Sequence, residues 1–327
     1  MDDVLVVGEA LVDIVRHPGG GTTEHPGGSP ANVALGLGRL GRRVSLLSRI
    51  GDDARGEGVR AHLAASGVSL VPGTIARAPT STATAVLDDH GVASYEFVLD
   101  WMLPATEVPE AKALHTGSIA AFLPPGGDAV LDLVRRTTGR STVSYDPNAR
   151  PSLMGEASVA LRRVETFVSA ADVVKVSDQD LAWLHPGVDL LDVAHAWLAL
   201  GPALVVVTRG PGGAIGVCAD GVVDLPAPPV AVADTVGAGD AFTSGLLDAL
   251  AAADLLGADR APALRAIARD VLASAVRHAT RVAAVNCSRP GADPPTRAEL
   301  EAAFPDEAVL PGGVAFPGGV ALPDEVG

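Results

Sequence analysis

The sequence predicts an α/β fold in which a doubly wound, mostly parallel sheet is flanked by helices and accompanied by a small antiparallel sheet. Short, predominantly apolar runs such as residues 4–7 and 173–176 alternate with helical stretches, which is the pattern of successive βαβ units. Between residues 69 and 104, β-type runs follow one another around a turn at 88–91 with no helix between them. This change of pattern predicts a separate antiparallel sheet.

The elements of the first third follow from local signals. Asp13 is isolated among apolar neighbours, where a charge is costly unless it binds something or faces solvent. Pro30 stands at a first helical position, where its missing N–H is harmless. The predicted elements are, in order, a strand at 4–7, its continuation at 9–15, a glycine-rich loop at 17–26, a helix from 29 to about 40, a strand at 42–50, a helix at 57–66 and the strands of the small sheet, to which the stretches 11–26 and 69–104 are assigned.

The remaining chain returns to the alternating pattern. The predicted elements are strands at 113–116, 142–145, 173–176 and 203–208, a hairpin at 214–218 and 222–225, helices at 241–253 and 262–288, and a disordered Pro/Gly-rich tail at 305–327 that follows one domain at 1–304. Ligands of such sheets gather at the carboxyl ends of the strands. Polar residues follow four of the strands, so we expect a polar rim there.

Composition excludes several classes of partner. Lys and Arg total 24 against 39 Asp and Glu, a formal charge of −15, whereas nucleic acids and anionic membranes attract basic patches. The two cysteines, Cys218 and Cys287, are too few for a disulfide framework and lack metal-ligand spacing. With neither a signal-peptide pattern nor an apolar run of about 18 residues, the sequence predicts a cytoplasmic location without nucleic-acid or membrane binding.

The stretch 234–242, Asp-Thr-Val-Gly-Ala-Gly-Asp-Ala-Phe, predicts an anion site. Gly237 and Gly239 permit a tight turn, and the first N–H groups of the following helix lack internal partners. Asp240 adds a carboxylate beside them, a pairing that suits phosphoryl transfer because a carboxylate accepts a proton while N–H groups hold phosphoryl charge. Alone, the pattern is more typical of an Asp N-cap after a glycine turn, and it is the rest of the chain that favours the catalytic interpretation.

A second glycine pattern is set aside. Gly36, Gly38 and Gly41 match the dinucleotide pattern G-x-G-x-x-G, but they lie inside and at the end of the predicted helix. That pattern requires a preceding strand and a phosphate at the helix start. Close helix packing explains these glycines better than a nicotinamide dehydrogenase does.

Several separated motifs together resemble the PfkB (ribokinase-like) family of sugar kinases, over about residues 3–300. Residues 27–34, Gly-Gly-Ser-Pro-Ala-Asn-Val-Ala, resemble its N-terminal substrate motif, and residues 234–242 resemble its C-terminal catalytic motif. Residues 8–13, 145–150 and 287–292 are most similar to the fructokinase and 2-keto-3-deoxygluconate kinase branch. The resemblance implies a Rossmann-like core with a small β-sheet lid, and transfer of the γ-phosphate of ATP, with Mg²⁺, to a primary hydroxyl of a sugar.

The resemblance also implies roles for residues at matching positions. Asp240 would be the catalytic base, and the N–H groups of Gly237, Ala238 and Gly239 would form the anion hole. The substrate residues would be Asp13, Gly27, Gly28, Asn32 and Arg150. The nucleotide residues would be Lys175, Ser177, Thr208, Gly210, Gly213, Thr280 and Ala283.

The metal side departs from the family pattern. Ser177 and Asp180 occupy the place of an N-x-x-E motif, so an amide donor is lost and the carboxylate is one methylene shorter. Asp180 is expected to organise Mg²⁺ through water. Asp234 begins a segment that in many relatives binds a monovalent cation such as K⁺.

The sequence leaves the substrate open between several candidates. No Arg follows Tyr95 in the small sheet, which lowers the expectation of a keto-deoxy acid and favours a neutral sugar, above all fructose, although Arg150 could serve an anion. Trp101 could stack on a sugar or pack inside the protein. A ribokinase or nucleoside kinase of the same fold remains open, as does a non-catalytic binding protein, which the altered Ser177–Asp180 pair favours. A homodimer through the open-edged lid is also expected.

Overall fold

The computed structural model describes residues 2–17, 21–87 and 93–305. The strands are β1 (Asp2–Val7), β2 (Leu11–Arg16), β3 (Thr22–Gly27), β4 (Val44–Leu47), β5 (Ile50–Gly51), β6 (Val68–Leu70), β7 (Ile75–Ala76), β8 (Thr82–Leu87), β9 (Ala93–Val98), β10 (Ala111–Gly117), β11 (Thr142–Asp146), β12 (Val173–Ser177), β13 (Leu204–Thr208), β14 (Ala214–Cys218) and β15 (Gly221–Leu225). The helices are α1 (Ser29–Arg39), α2 (Ala54–Ala65), α3 (Gly126–Thr137), α4 (Pro151–Met154), α5 (Ala157–Val168), α6 (Asp178–Leu184), α7 (Leu190–Ala199), α8 (Ala238–Ala252), α9 (Ala261–Arg265), α10 (Arg269–Cys287) and α11 (Arg297–Ala303).

The large sheet confirms the predicted fold class. Within the described residues it has nine strands in the order β15-β14-β13-β12-β11-β10-β1-β4-β6. The pairs from β13 to β6 are parallel, and β14 and β15 add an antiparallel edge, where the sequence predicts a hairpin. The carboxyl ends of the parallel strands therefore form one rim, as expected.

Helices cover both faces of this sheet, and the strands alternate between two cores. On β1, Val4 and Val6 face a core shared with α1, α8 and α10, whereas Leu5 and Val7 face a core shared with α3, α5 and α7. Such strands, buried on both sides, read as continuous apolar runs. Among the described residues, no helix has both the length and the apolar character needed to cross a bilayer.

The small sheet has the order β3-β2-β8-β9. Its outer pairs, β2 with β3 and β8 with β9, are antiparallel, while β2 and β8 run parallel at the centre. The predicted turn at 88–91 lies outside the described residues, as do residues 306–327 of the predicted disordered tail.

Some local predictions are wrong. The predicted loop at 17–26 contains β3, because residues 22–27 pair in register with β2 although their own sequence carries no strand signal. The predicted continuation of β1 over 9–15 is interrupted at residues 8–10, and the chain then enters the small sheet as β2. Helix α8 begins at Ala238, three residues earlier than predicted, because Gly237 adopts the left-handed conformation that ends the preceding turn.

Candidate active site

The two glycine motifs meet where helices α1 and α8 begin. Asp240, the third residue of α8, is 7% exposed. Ser29 donates from Oγ to one carboxylate oxygen at 2.7 Å, and Asn32 donates from Nδ2 to the other at 2.8 Å. These bonds join residues more than 200 positions apart in the chain. The carboxylate of Asp240 is thereby fixed in orientation by the first turn of α1.

The turn before α8 needs glycine and presents free donors. Gly237 has φ 72°, and a Cβ there would lie 2.6 Å from the Cβ of Ala292. The N–H of Ala238 donates to the carbonyl of Thr235 at 3.2 Å, so this predicted anion-hole donor has an internal acceptor. In the part of the chain that the structure describes, the N–H of Gly239 has no protein acceptor. Gly239 is therefore the freer of these two donors.

Burial and neighbouring charges set the state of Asp240. Burial raises the pKa of its carboxyl, the bonds from Ser29 and Asn32 lower it, the charge of Asp146 raises it and that of Lys175 lowers it. The carboxylate is thus more basic than an ordinary aspartate while still held by donors. This is the property required of a group that accepts a proton.

Asp13 approaches the same site from the small sheet. It lies on β2 opposite β3, and a Cβ on Gly27 would collide with its carboxylate. Burial, followed by the charge of Asp240, raises the pKa of Asp13 to about 6, against the opposing influence of Arg150 and His25. Asp13 is thus close enough to Asp240 for the pKa of its carboxyl to respond to that charge.

The remaining predicted substrate residues line this region. Gly28 has φ 102°, and a Cβ there would lie 2.6 Å from the carbonyl oxygen of Glu9. Arg150 donates from NH1 to the carbonyl oxygens of Asn148 and Ala149, both at 3.0 Å, and to the side chain of Asn148 at 2.7 Å. The NH1 group of Arg150 is thus already hydrogen-bonded within the protein.

Glu9 belongs to this site although it is absent from the predicted residues. Its carboxylate accepts the N–H of Ala120 at 3.0 Å, and it is 5% exposed. Burial raises the pKa of Glu9 to about 7, while hydrogen bonds including that from Ser118 and the charge of Arg150 oppose the rise. The sequence signal that could have found it is a charge directly after the buried run of β1.

The predicted nucleotide residues lie farther along the rim. Ser177 and Asp180 form a capping box at the start of α6, and Asp180 also accepts the N–H of Ala149 at 2.8 Å. Thr208 ends β13 and donates to the carbonyl of Val176 at 3.4 Å. Gly210 (φ 52°) and Gly213 (φ 81°) have positive φ angles, and they begin and follow a short 3-10 turn.

On α10, Thr280 is buried and donates to the carbonyl of Arg277 at 2.8 Å, and Ala283 is partly buried one turn later. Asp234 accepts the N–H groups of Val236 at 3.1 Å and Gly291 at 2.8 Å. Although burial alone would raise it, the pKa of Asp234 is lowered by these backbone donors.

Asn286 marks a polar spot beside this segment. It is fully buried and donates from Nδ2 to the carbonyl of Val236 at 2.8 Å, but among the described residues its Oδ1 has no hydrogen-bond partner. A buried acceptor without a donor is costly. An oxygen of this kind is suited to a cation.

Trp101 does not face this site. It is 7% exposed, donates from Nε1 to the carbonyl of Ala120 at 3.0 Å, and packs closely against Gly126. Of the two interpretations of this residue, packing inside the protein is the one observed, and stacking on a sugar is wrong.

The chain matches known proteins over most of its length. The family model for pfkB family carbohydrate kinases matches residues 1–299. A fructokinase from Rhizobium leguminosarum bv. trifolii is 34% identical over 265 residues, which cover 77% of this chain and 81% of that protein.

Two solved structures show the same fold. A double mutant of fructokinase from Vibrio cholerae O395, in fructose, ADP and potassium ion bound form, has a TM-score of 0.77 and 27% identity over 92% of this chain and 98% of its own. Aminoimidazole riboside kinase from Salmonella enterica, complexed with aminoimidazole riboside and an ATP analogue, has a TM-score of 0.76 and 25% identity over 92% and 99%. With its two motifs joined at Asp240, the chain belongs to the pfkB family of carbohydrate kinases, which are phosphotransferases with an alcohol group as acceptor.

Proposed function

We propose that this protein is an ATP-dependent sugar kinase that transfers the γ-phosphate to a primary hydroxyl of a neutral sugar, with fructose as the first candidate and fructose 6-phosphate as its product. The observation that carries the proposal is the placement of Asp240, whose carboxylate is buried, held by Ser29 and Asn32, and adjacent to the Gly237–Gly239 turn. The fructokinase relatives support the choice of sugar.

In the proposed reaction, Asp240 accepts the proton of the sugar hydroxyl as the oxygen–phosphorus bond forms and the bond from phosphorus to the leaving ADP breaks. Ser29 and Asn32 keep the carboxylate directed at the hydroxyl. The N–H groups of the Gly237–Gly239 turn hold the negative charge on the phosphoryl oxygens. Because Asp240 is buried, water is kept from competing with the hydroxyl.

Sugar binding is proposed for Asp13, Gly27, Gly28, Asn32 and Arg150. A carboxylate accepts hydrogen bonds from hydroxyls and an amide both donates and accepts. The glycines let the backbone approach the ligand closely. A keto-deoxy acid would need a cation free to bind its carboxylate, yet three arginines at or near the small sheet already have carboxylate partners. These pairs are Arg16 with Glu96, Arg49 with Asp100, and Arg55 with Glu24.

The donor set fits a nucleotide with Mg²⁺. Among the described residues no group of three or more acidic, His or Cys side chains could hold a metal alone, as expected for Mg²⁺, which usually binds substrate phosphates, water and one or two carboxylates. Asp180 is the proposed carboxylate. The proposed nucleotide residues are Lys175, Ser177, Thr208, Gly210, Gly213, Thr280 and Ala283. Bound MgATP supplies the phosphoryl group and neutralises its charge.

A monovalent cation such as K⁺ is proposed beside Asp234. The unpaired Oδ1 of Asn286 and the carboxylate of Asp234 flank the segment that leads into the catalytic turn. A cation there would satisfy the buried oxygen and stiffen the turn.

A second candidate substrate is an aminoimidazole riboside or another nucleoside, because one structural neighbour is a kinase of that type. Its reaction would use the same base and turn. A non-catalytic protein is disfavoured by the intact Asp240 arrangement.

The proposal includes the organisation of the chain. Residues 1–304 are proposed as one kinase domain, with the strands of the small sheet inserted in the α/β core and the tail outside it. A homodimer through the small sheet is proposed because Val98, on its outer strand β9, is 65% exposed. A cytoplasmic location is proposed because Cys218 and Cys287 are both free thiols.

The test is ADP release with MgATP against fructose, ribose, 2-keto-3-deoxygluconate, adenosine and fructose 6-phosphate. Turnover highest with fructose is expected, and Asp240→Asn should lower kcat by about 10³-fold while leaving ATP affinity within about twofold by calorimetry. Preference for another member of the panel would move the substrate assignment. No turnover above the background with any of them, or loss of ATP binding in folded Asp240→Asn protein, would contradict the proposal.

A further inference from the structure

A buried ion pair lies behind the catalytic turn. Lys175 on β12 places its Nζ 2.9 Å from Oδ2 of Asp146 at the end of β11, and the two side chains are 5% and 1% exposed. The sequence contains two lysines, Lys112 and Lys175, and one of them is buried here. Burying such a pair costs desolvation that a surface pair avoids, so stability alone is a weak reason for it.

The ammonium touches the first turn of α8. A Cβ built on Gly239 would lie 2.9 Å from Nζ of Lys175. Thr243, one turn farther along α8, donates to the carbonyl of Gly239 at 3.0 Å and lies 3.5 Å from Oδ2 of Asp146. Asp146, Lys175 and the turn thus form one packed unit.

The ammonium also has donors to spare. Of its three N–H groups, one is used by Asp146, and within the described residues no second acceptor is bonded to it. Two other polar side chains nearby accept backbone N–H groups: Ser177 accepts that of Asp180, and Asp180 accepts those of Ser177 and Ala149. Lys175 therefore places a cation beside the turn that keeps N–H donors free for another acceptor.

We propose that Lys175 is a positioning residue for phosphoryl transfer: held by Asp146, its ammonium fixes a positive charge behind the Gly237–Gly239 turn, which strengthens that turn as an anion site and keeps the Asp240 carboxylate ready to accept a proton. A compact ammonium acts here as a point charge, which the broader guanidinium of arginine does not reproduce. This inference rests on the proposed kinase function.

The charged groups around Asp240 determine in which direction its pKa should shift when one of them is removed. Asp240 faces Asp146 and Lys175 and influences Asp13. Lys175 itself faces Asp146, Asp180 and Asp240. His115 lies near too, but burial, followed by the charge of Lys175, lowers the pKa of its ring to about 3, so it is neutral.

Opposite shifts follow for the two members of the pair. The positive charge of Lys175 lowers the pKa of Asp240 and the negative charge of Asp146 raises it. Lys175→Met should therefore move the acid limb of kcat to higher pH, and Asp146→Asn should move it to lower pH. If the pair were merely structural, the two substitutions would not shift the acid limb of kcat in opposite directions.

The experiment compares wild type, Lys175→Met, Asp146→Asn, the double variant and Lys112→Met, an exposed lysine, as the control for loss of one positive charge. ATP and AMP affinities are measured by calorimetry, and kcat is measured from pH 5 to 9. Lys175→Met should bind ATP about tenfold more weakly, because the turn loses the positive charge that supports it as an anion site. Its AMP affinity should stay within about twofold, as should the ATP affinity of Lys112→Met.

The double variant separates function from folding, because removing one partner alone strands a buried charge whereas removing both does not. It should fold like wild type and still bind ATP weakly. Wild-type ATP affinity in the double variant, or shifts of the acid limb with the same sign in both single variants, would overturn the inference. If wild type phosphorylates no sugar of the panel, the proposed substrate class fails, and the ATP and AMP affinities still decide the role of Lys175.

Discussion

The candidate site contains two carboxylates that come from the two parts of the fold, the α/β core and the small sheet. Asp240 comes from a helix of the α/β core and Asp13 from a strand of the small sheet. Each is desolvated, and the charge of Asp240 adds to the raised pKa of Asp13. Two like charges held together without a ligand are unfavourable. In the sugar site proposed above, hydroxyls of the substrate would donate to both carboxylates and so reduce this cost.

Asp13→Asn tests this cost at the residue scale. The folded pKa of Asp13, about 6, lies above its ordinary value of 3.8, so its ionised form destabilises the fold above pH 6, and the penalty disappears as pH falls below about 4. The free energy of unfolding at pH 7 should rise by about 2–3 kcal/mol. KM for the sugar should rise at least about tenfold, because an acceptor of hydroxyl bonds is lost.

Urea unfolding at pH 7 and steady-state kinetics measure the two effects. Asp52→Asn, at an exposed position, is the control and should change neither quantity appreciably. If Asp13→Asn lowers the free energy of unfolding, the Asp13 carboxylate stabilises the fold, which contradicts the prediction.

At this scale the sequence identified the side chains of the two motifs but not their supports. Asp240 and Asn32 were predicted from their motifs, and the structure bonds them directly. Glu9 and Asp146 were not assigned as site residues. Their importance comes from burial and from partners distant in the chain, Ala120 and Lys175, and a single sequence does not show which distant groups pack together.

At the scale of elements, α8 connects the site to the opposite end of the helical layer. Eight residues after Asp240, Asp248 accepts hydrogen bonds from Arg42 at 2.6 Å and Arg297 at 2.7 Å, and its other oxygen lies 2.8 Å from His278. These partners follow α1, begin α11 and lie on α10. One carboxylate thus ties α8 to three other segments, about 12 Å from the site along the helix.

Asp248→Asn should destabilise the fold by about 3 kcal/mol, because it removes a buried carboxylate from two arginines and a histidine that are 20–33% exposed. Although burial alone would raise it, the pKa of Asp248 falls to about 2 through His278 and the two arginines. This is below its ordinary value of 3.8, so its stabilisation is present above about pH 4 and is lost as pH falls through 2.

Urea unfolding at pH 7 measures the loss. Asp128→Asn breaks a pair whose carboxylate is 68% exposed and should cost no more than about 1 kcal/mol. Below its unfolding temperature, the Asp248→Asn protein should keep wild-type kcat, since the residue lies remote from Asp240. A lowered kcat with unchanged stability would contradict a structural role.

Helices and strands were predicted correctly where the local sequence determines them, and less well where they depend on partners distant in the chain. Strands β10 to β13 were predicted because they are largely buried and rich in apolar residues. Strand β3 was covered only by the assignment of residues 11–26 to the small sheet and not predicted as a separate strand, since its residues are polar or exposed over most of its length. The start of α8 was misplaced because the left-handed conformation of Gly237 (φ 72°), which precedes the helix, is not evident from the sequence.

For the whole molecule, the acidic composition predicted which partners to exclude, but not how buried groups respond to pH. Burial raises the pKa of Glu9 from 4.5 to about 7 and of Asp13 from 3.8 to about 6, and it lowers that of His115 from 6.5 to about 3. Between pH 5.5 and 7.5 the folded chain loses protons from Glu9 and Asp13 that the unfolded chain has already lost. Over the same range the unfolded chain loses a proton from His115 that the folded chain never held.

The first effect destabilises the protein as pH rises, and the second stabilises it. A Glu9→Gln, Asp13→Asn double variant removes the first effect and keeps every other titrating group. The change in its free energy of unfolding from pH 5.5 to 7.5 should therefore be about 2–3 kcal/mol more favourable than the change in wild type. Urea unfolding at both pH values, followed by tryptophan fluorescence, gives this difference directly. Equal pH dependence in the two proteins would show that these carboxyls titrate alike in the folded and unfolded chain. Their ionised forms would then not destabilise the fold.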